Sequence, residues 1–229
     1  MKCILRLLID VSMFFMLFLV MAYNFTGNAI HEWSGMLLSL LFLGHLLLNG
    51  AWLRRIFRGR YSFLRIVSTS INLLLLLSFL VVLVAAVPIS AELFPFFSFS
   101  EGMEMARIHI WASNCLFLLV ALHCGIQWSR FKQNVNRKAK KRSRSRWQLV
   151  LTYALLLSVL AYGVRAFVDR GILYKITMYY TFDPGRADDS FLRFAADYLS
   201  IFILFASLTY YGFAWLRARR KQNRISFRA

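Results

Sequence analysis

Six apolar runs, at residues 7–23, 31–53, 64–88, 106–128, 147–167 and 192–215, are the feature that most constrains this chain. Each is about as long as the ~18–20 residues a helix needs to cross a hydrocarbon core. In that medium a helix satisfies every backbone N–H and C=O within one segment. Composition agrees: 59% of the 229 residues are hydrophobic and the mean hydropathy is +0.58, against roughly 45–50% apolar in ordinary soluble domains. The first run is too long and ends too apolar for a typical cleaved signal peptide, and it reads as a retained helix. The expected fold is therefore an all-α integral membrane protein of six transmembrane helices, forming one membrane domain over residues 1–229.

Charge placement predicts the topology. If the N-terminus is cytoplasmic, the inner segments are 1–6, 54–65, 129–146 and 216–229, and they hold 22 of the 28 Lys and Arg. Of the ten acids only Asp10 lies at an inner end. The other nine (Glu32, Glu92, Glu101, Glu104, Asp169, Asp183, Asp188, Asp189 and Asp197) fall at outer ends or in outer loops. This is the positive-inside pattern, and it puts both termini in the cytoplasm. A net charge of +18 invites a nucleic-acid reading, but the run KAKKRSRSR at 138–146 is better explained as a topology signal against anionic lipid, so no nucleic-acid partner is expected. Cys3, Cys115 and Cys124 fall in or beside helices, with no C-x-x-C and hence no C-x-x-C-H haem attachment.

The four histidines of the chain lie in two of the six runs: His31 and His45 in the second, His109 and His123 in the fourth. Both spacings are fourteen residues. A helix turns about 100° and rises about 1.5 Å per residue, so fourteen residues return to within about 40° of the starting face, about 21 Å further along. Both helices run from outside to inside. His31 and His109 are thus an outer pair and His45 and His123 an inner pair, and each pair could clamp one planar macrocycle as the axial ligands of haem iron. Ligand sites in bundles are built from facing helices in this way.

The surroundings of the histidines repeat too. HEWSG (31–35) and HIWAS (109–113) share H-x-W and then a small residue, Gly35 or Ser113, four positions after the histidine. That places the small residue on the histidine's face and leaves room for a flat ring. Asn49 and Gln127 follow the second histidines by four, and Trp52 and Trp128 are expected to close the helices at the inner interface. A haem-free explanation stands beside this one: a transporter or assembly partner whose histidines bond across helices or relay protons. HEWSG begins like the zinc-protease H-E-x-x-H, but Gly35 occupies the second ligand position. Glu32 reads as an interfacial or first-turn acid, with Asn28 as the N-cap.

The stretches HEWSGMLLSLLFLGHLLLNGAW and IHIWASNCLFLLVALHCGIQW resemble the helices of membrane cytochromes b. More closely, they resemble a bacterial and archaeal family once classed as a domain of unknown function and now called the flavinylation-associated cytochromes. The resemblance covers helices 2 to 4, under half the chain. Members often carry a further histidine a few residues after the inner ligand, where this chain has Asn49 and Gln127. The resemblance implies a cytochrome b-like four-helix bundle in a prokaryotic cytoplasmic membrane, holding two non-covalent b-type haems. It implies an electron conduit from a quinol or another membrane donor to an extracytoplasmic acceptor such as a flavoprotein. Such a chain is an electron-transfer subunit of an oxidoreductase system rather than a complete enzyme, and quinone is a candidate further cofactor.

Arg107, Arg165 and Arg193 are expected at the outer ends of helices 4, 5 and 6. A guanidinium fork matches a carboxylate, so they are candidate partners for the propionates of the outer haem; snorkelling to headgroups is the plainer account. Arg54, Arg55 and Arg58 stand in the same relation to the inner haem, although topology already explains them. Met103 and Met105 are potential iron ligands, set aside because the histidines complete the count. The loops 88–105 and 168–190 are expected at the outer interface, with Asp188 to Ser190 capping the last helix.

Overall fold

A computed structural model describes residues 2–59, 61–97, 102–138, 145–179 and 189–226. These residues form eight helices: α1 (Lys2–Met21), α2 (Tyr23–Leu48), α3 (Ala51–Ile56), α4 (Phe63–Ala86), α5 (Gly102–Lys138), α6 (Arg146–Asp169), α7 (Ile172–Ile176) and α8 (Phe191–Ser226). Short 3-10 turns at Val87–Ile89 and Pro95–Phe97 follow α4, and no strand occurs among the described residues. Among the described residues six helical segments are long and apolar enough to cross a membrane: Ile4–Met21, Tyr23–Leu48, Phe63–Ile89, Gly102–Trp128, Arg146–Asp169 and Phe191–Arg220. The chain is an all-helical, multi-pass membrane protein. Large apolar side chains cover its outside, with Leu151, Leu155 and Leu157 on α6 among the most exposed. That is the surface a lipid solvent requires and water does not tolerate.

Several boundaries differ from the sequence reading: α5 and α8 run on past 128 and 215 to Lys138 and Ser226, and both ends of the second helix move. The second helix starts at Tyr23 rather than residue 31, because α1 and α2 meet at the buried Ala22 with almost no loop. Gly27 then breaks the helical path with φ 73° and ψ 178°, a conformation open to glycine at little cost. The same helix ends at Leu48 rather than 53. Asn49 caps it, its side-chain amide donating to the His45 carbonyl at 2.9 Å, and Trp52 belongs to the separate α3. Asn28 is not the predicted N-cap: its amide donates to Glu32 Oε1 at 2.7 Å. Elsewhere local chemistry sets the ends as sequence rules suggest. Ser145 and Gln148 make a capping box at α6, Gly171 closes it in the left-handed conformation, and Ser190 Oγ accepts the Arg193 N–H at the start of α8. Asp188, Tyr180, Phe182 and the Asp183–Pro184–Gly185 turn lie outside the described residues.

The helices pair as α1 with α2, α4 with α5, and α6 with α8, while α5 also packs along α8. Glycines allow the last two contacts. A Cβ on Gly125 of α5 would sit 2.2 Å from the Ala206 carbonyl oxygen of α8, and one on Gly163 of α6 would sit 2.6 Å from the Ser200 carbonyl oxygen. The backbones therefore approach as closely as small residues permit. Phe117, Ile172 and Ile201 are fully buried where α5, α7 and α8 meet. By contrast, α2 packs its backbone closely on α1 and reaches the rest of the molecule through bulky side chains, chiefly Phe42, stacked on Phe79 of α4 at 4.0 Å.

Candidate functional site

The two histidine-bearing helices are each the second arm of an antiparallel hairpin, and each histidine is tethered to the first arm. His31 Nδ1 donates to the Val20 carbonyl at 2.9 Å and His45 Nδ1 to Asp10 Oδ1 at 2.7 Å; both acceptors lie on α1. His109 Nδ1 donates to the Val82 carbonyl at 3.2 Å and His123 Nδ1 to Asn72 Oδ1 at 2.7 Å; both acceptors lie on α4. Every acceptor is an oxygen, so every Nδ1 carries the proton and Nε2 is the basic ring nitrogen. The acceptors are ten residues apart in both hairpins, Asp10 to Val20 and Asn72 to Val82. The internal repeat is therefore longer than the histidine helices alone: it is the whole hairpin, with a backbone acceptor at one level and a side-chain acceptor at the other.

The levels also match the charge pattern. His31 and His109 lie toward the end that carries Glu32, Glu92, Glu104, Asp169, Asp189 and Asp197; His45 and His123 lie toward the end that carries Arg54, Arg55, Arg217 and Arg219. At the acid-bearing end the structure brings the predicted pair together, with the His31 and His109 ring centroids 5.9 Å apart and the rings inclined at 73°. Two imidazoles bound to one metal atom by bonds of ~2 Å have centroids about 6 Å apart, so this separation fits a single metal between them. Tyr23 packs edge-on against His31 at 5.2 Å. At the basic end His45 and His123 are each tethered within their own hairpin, and Asn49 Nδ2 donates to His45 Nε2 at 3.5 Å. Phe42, Phe79 and Leu116 are buried together, leaving the two levels separated by packed hydrocarbon.

A macrocycle also needs space. A Cβ added to Gly35 would meet nothing within 4 Å, so there is open space beside that residue, and Ser113 is half-buried. The tryptophans of the shared H-x-W are not equivalent. Trp111 donates to the Ile176 carbonyl at 2.9 Å and ties α5 to α7, whereas Trp33 is exposed on the outside of α2. Among the described residues no group of three or more His, Cys, Asp or Glu is placed to hold a metal ion. A haem iron asks the protein for two ligands, a number that one histidine pair can supply.

Glu32 has a larger role than its sequence position suggested. Its carboxylate accepts from Ser90 Oγ at 2.6 Å and from the backbone N–H of Ala91, Glu92 and Leu93 at 2.9, 3.1 and 3.0 Å. The segment after α4 thus folds around an acid on α2. Arg107 pairs with Glu104 on its own helix at 3.0 Å. Arg165 pairs with Asp169 at 3.4 Å and is 74% exposed, on a helix that packs chiefly against α8. Arg193 is half-buried at the start of α8. Arg55 Nε donates to the Ala51 carbonyl at 3.0 Å and the Arg58 carbonyl accepts from Arg65. Met103 is exposed. Asp10, Asn72 and the Val20 and Val82 carbonyls are the site residues that sequence reasoning missed. Asp10 had a signal, as the only acid at the basic end of the chain, inside an otherwise apolar helix.

A comparison with known proteins finds no matching family model, no matching curated protein and no matching solved structure.

Proposed function

We propose that this protein is a cytochrome b-like dihaem membrane protein that relays electrons across the bilayer. His31 and His109 are the axial ligands at the acid-bearing end, and His45 and His123 those at the basic end. The reading rests on one observation: all four histidines commit Nδ1 to an oxygen of the preceding helix. Metal-ligating histidines are held in this way, because the bond fixes the tautomer, orients the ring and raises the basicity of Nε2. Structural histidines have no need to repeat the arrangement in two hairpins. Haem, when bound, supplies one-electron redox chemistry, and the protein supplies binding, orientation and tuning.

Each part of the chain then has a task. The α1 and α4 arms hold the imidazoles at fixed depth. Gly35 and Ser113 give a flat ring access to the outer pair. Phe42, Phe79 and Leu116 keep water from the space between the levels. Arg107 and Arg193 stand at the acid-bearing ends of α5 and α8 as partners for propionates, while the exposure of Arg165 leaves it the weakest of the three candidates. We place the acid-bearing end outside and both termini in the cytoplasm, with a membrane quinol or another donor on one side of the relay and an extracytoplasmic flavoprotein as the acceptor. This is the arrangement implied by a resemblance to the flavinylation-associated cytochromes.

The deciding experiment is an optical spectrum of the purified chain, air-oxidised and then reduced with dithionite, with haem quantified per polypeptide. Sharp b-type bands at about two haems per chain, one for each histidine pair, are expected. A colourless protein from haem-replete cells would overturn the proposal and return the histidines to interhelical bonding or proton handling.

A further inference from the structure

The histidine tethers of the repeated hairpins differ in charge at one atom pair. At the acid-bearing level both histidines donate to neutral backbone carbonyls, those of Val20 and Val82. At the basic level His123 donates to the neutral Asn72 side chain, but His45 donates to the carboxylate of Asp10, each at 2.7 Å. Three histidines therefore have neutral acceptors and one has an anion. Topology does not explain the exception, because Asp10 is the only acid at a heavily basic end of the chain. Arg6, one turn away, donates to the Leu48 carbonyl at 2.6 Å, so the bonded partner of Asp10 among the described contacts is His45. A hydrogen bond to a charged acceptor is roughly twice as strong as one between neutral groups. It draws the Nδ1 proton toward the oxygen and makes the ring a more basic, more electron-rich ligand. Such a ligand favours the more positive, oxidised state of the metal it holds.

On the haem reading above, we infer that Asp10 is a positioning residue that lowers the reduction potential of the His45–His123 site, and that the Asp10/Asn72 difference makes two otherwise repeated sites unequal. The carboxylate acts through His45; it touches neither a substrate nor the metal.

The test is a potentiometric titration of the purified full-length chain, followed by its optical bands, with the two steps assigned by their presence or absence in His31→Ala. Asp10→Asn keeps an oxygen of similar shape and removes the charge. It is expected to move the His45–His123 step to higher potential and leave the other step in place. Asn72→Asp adds a carboxylate to the opposite ligand and is expected to move the same step to lower potential. If Asp10→Asn sheds haem from that level, Asn72→Asp carries the test. A haem-replete chain whose step moves in neither variant overturns this inference alone. A wild-type chain that binds no haem overturns the proposed function and this inference with it.

Discussion

The α1–α2 and α4–α5 hairpins follow one plan but sit differently in the molecule. The second is embedded: α5 packs closely on α4, α7 and α8, and Ala112, Phe117 and Ala121 on it are fully buried. The first lies against it as a cover. Its helix α2 buries Ser34, Leu38 and Phe42 and touches α4, α5 and α8 through side chains: Phe42 on Phe79, His31 on His109, Phe25 on Phe191 and Phe194, and the bonds of Glu32. The contrast separates two jobs that a symmetric repeat would have combined. One hairpin is a packed wall carrying two histidines, and the other sets its own pair against that wall through side-chain rather than close backbone contacts.

On the proposed function, the largest expected effect comes from the histidines. His109→Ala in the wall and His31→Ala in the cover are each expected to remove the acid-end haem and spare the other, halving haem per chain in the reduced spectrum. Loss of both haems or of neither would break the pairing of wall with cover.

Next in size is the support behind the wall. Arg170 bonds to both Asp189 and Asp197, and the three side chains are 9%, 8% and 6% exposed. Tyr162 also donates to Asp197 at 2.6 Å. Burial alone would weaken Arg170's hold on its proton. The hydrogen bonds and charges of the two carboxylates outweigh that, so it stays cationic with a pKa above the ordinary arginine range. Arg170→Ala leaves two buried carboxylates without their cation, a change that typically costs roughly 3–5 kcal/mol. Thermal unfolding in detergent should show the loss. An unchanged midpoint would mean that α6, α7 and α8 do not brace α5 as described.

A glycine pair sharpens the comparison further. Gly125→Ala must push α8 away from α5, since its Cβ would lie 2.2 Å from a carbonyl oxygen; overpacking of this kind costs about 1–3 kcal/mol. Gly35→Ala in the cover meets open space and gains up to about 1 kcal/mol of helix propensity. On the proposed function, the larger Gly35→Leu should keep the fold and lose haem from the acid-end site. Equal destabilisation by the two alanine variants would erase the distinction between wall and cover.

Much of this was legible in the sequence, for identifiable reasons. The six spans were readable because a lipid solvent forces long apolar helices and the charges sort by side. The histidines were readable because polar residues are rare in such segments and their spacing is equal. The ends of α2 were not, because one glycine torsion at Gly27 and a turn at Asn49 decide them. The tethers were hidden for a different reason. Two of the four acceptors are backbone carbonyls, which leave no mark in a sequence, and no local pattern joins Asp10 to His45 or Asn72 to His123 across a hairpin. The H-x-W repeat was visible but misleading, since only Trp111 turns inward to bond.

The smallest expected effect tests what holds cover to wall at the acid-bearing end. Glu32 is on α2, and the groups it binds follow α4, so its carboxylate links the hairpins directly. Asn28, on its own helix, adds a further donor. A carboxylate suits this position because it only accepts hydrogen bonds. Glu32→Gln keeps the shape but turns one oxygen into an NH2 group that faces N–H and O–H donors, leaving part of the Ser90–Leu93 segment without an acceptor. Charge-assisted bonds of this kind contribute about 1.5–3 kcal/mol in favourable settings; partial exposure and the surviving oxygen should hold the loss near ~1–2 kcal/mol by thermal unfolding. Haem at the basic end should not change, because nothing there depends on this tie. A loss as large as that of Arg170→Ala would make the cover as integral as the wall. No loss at all would leave the aromatic contacts, Phe42 on Phe79 and Phe18 on Phe117 among them, as what holds cover to wall, and Phe42→Ala would then be expected to loosen it.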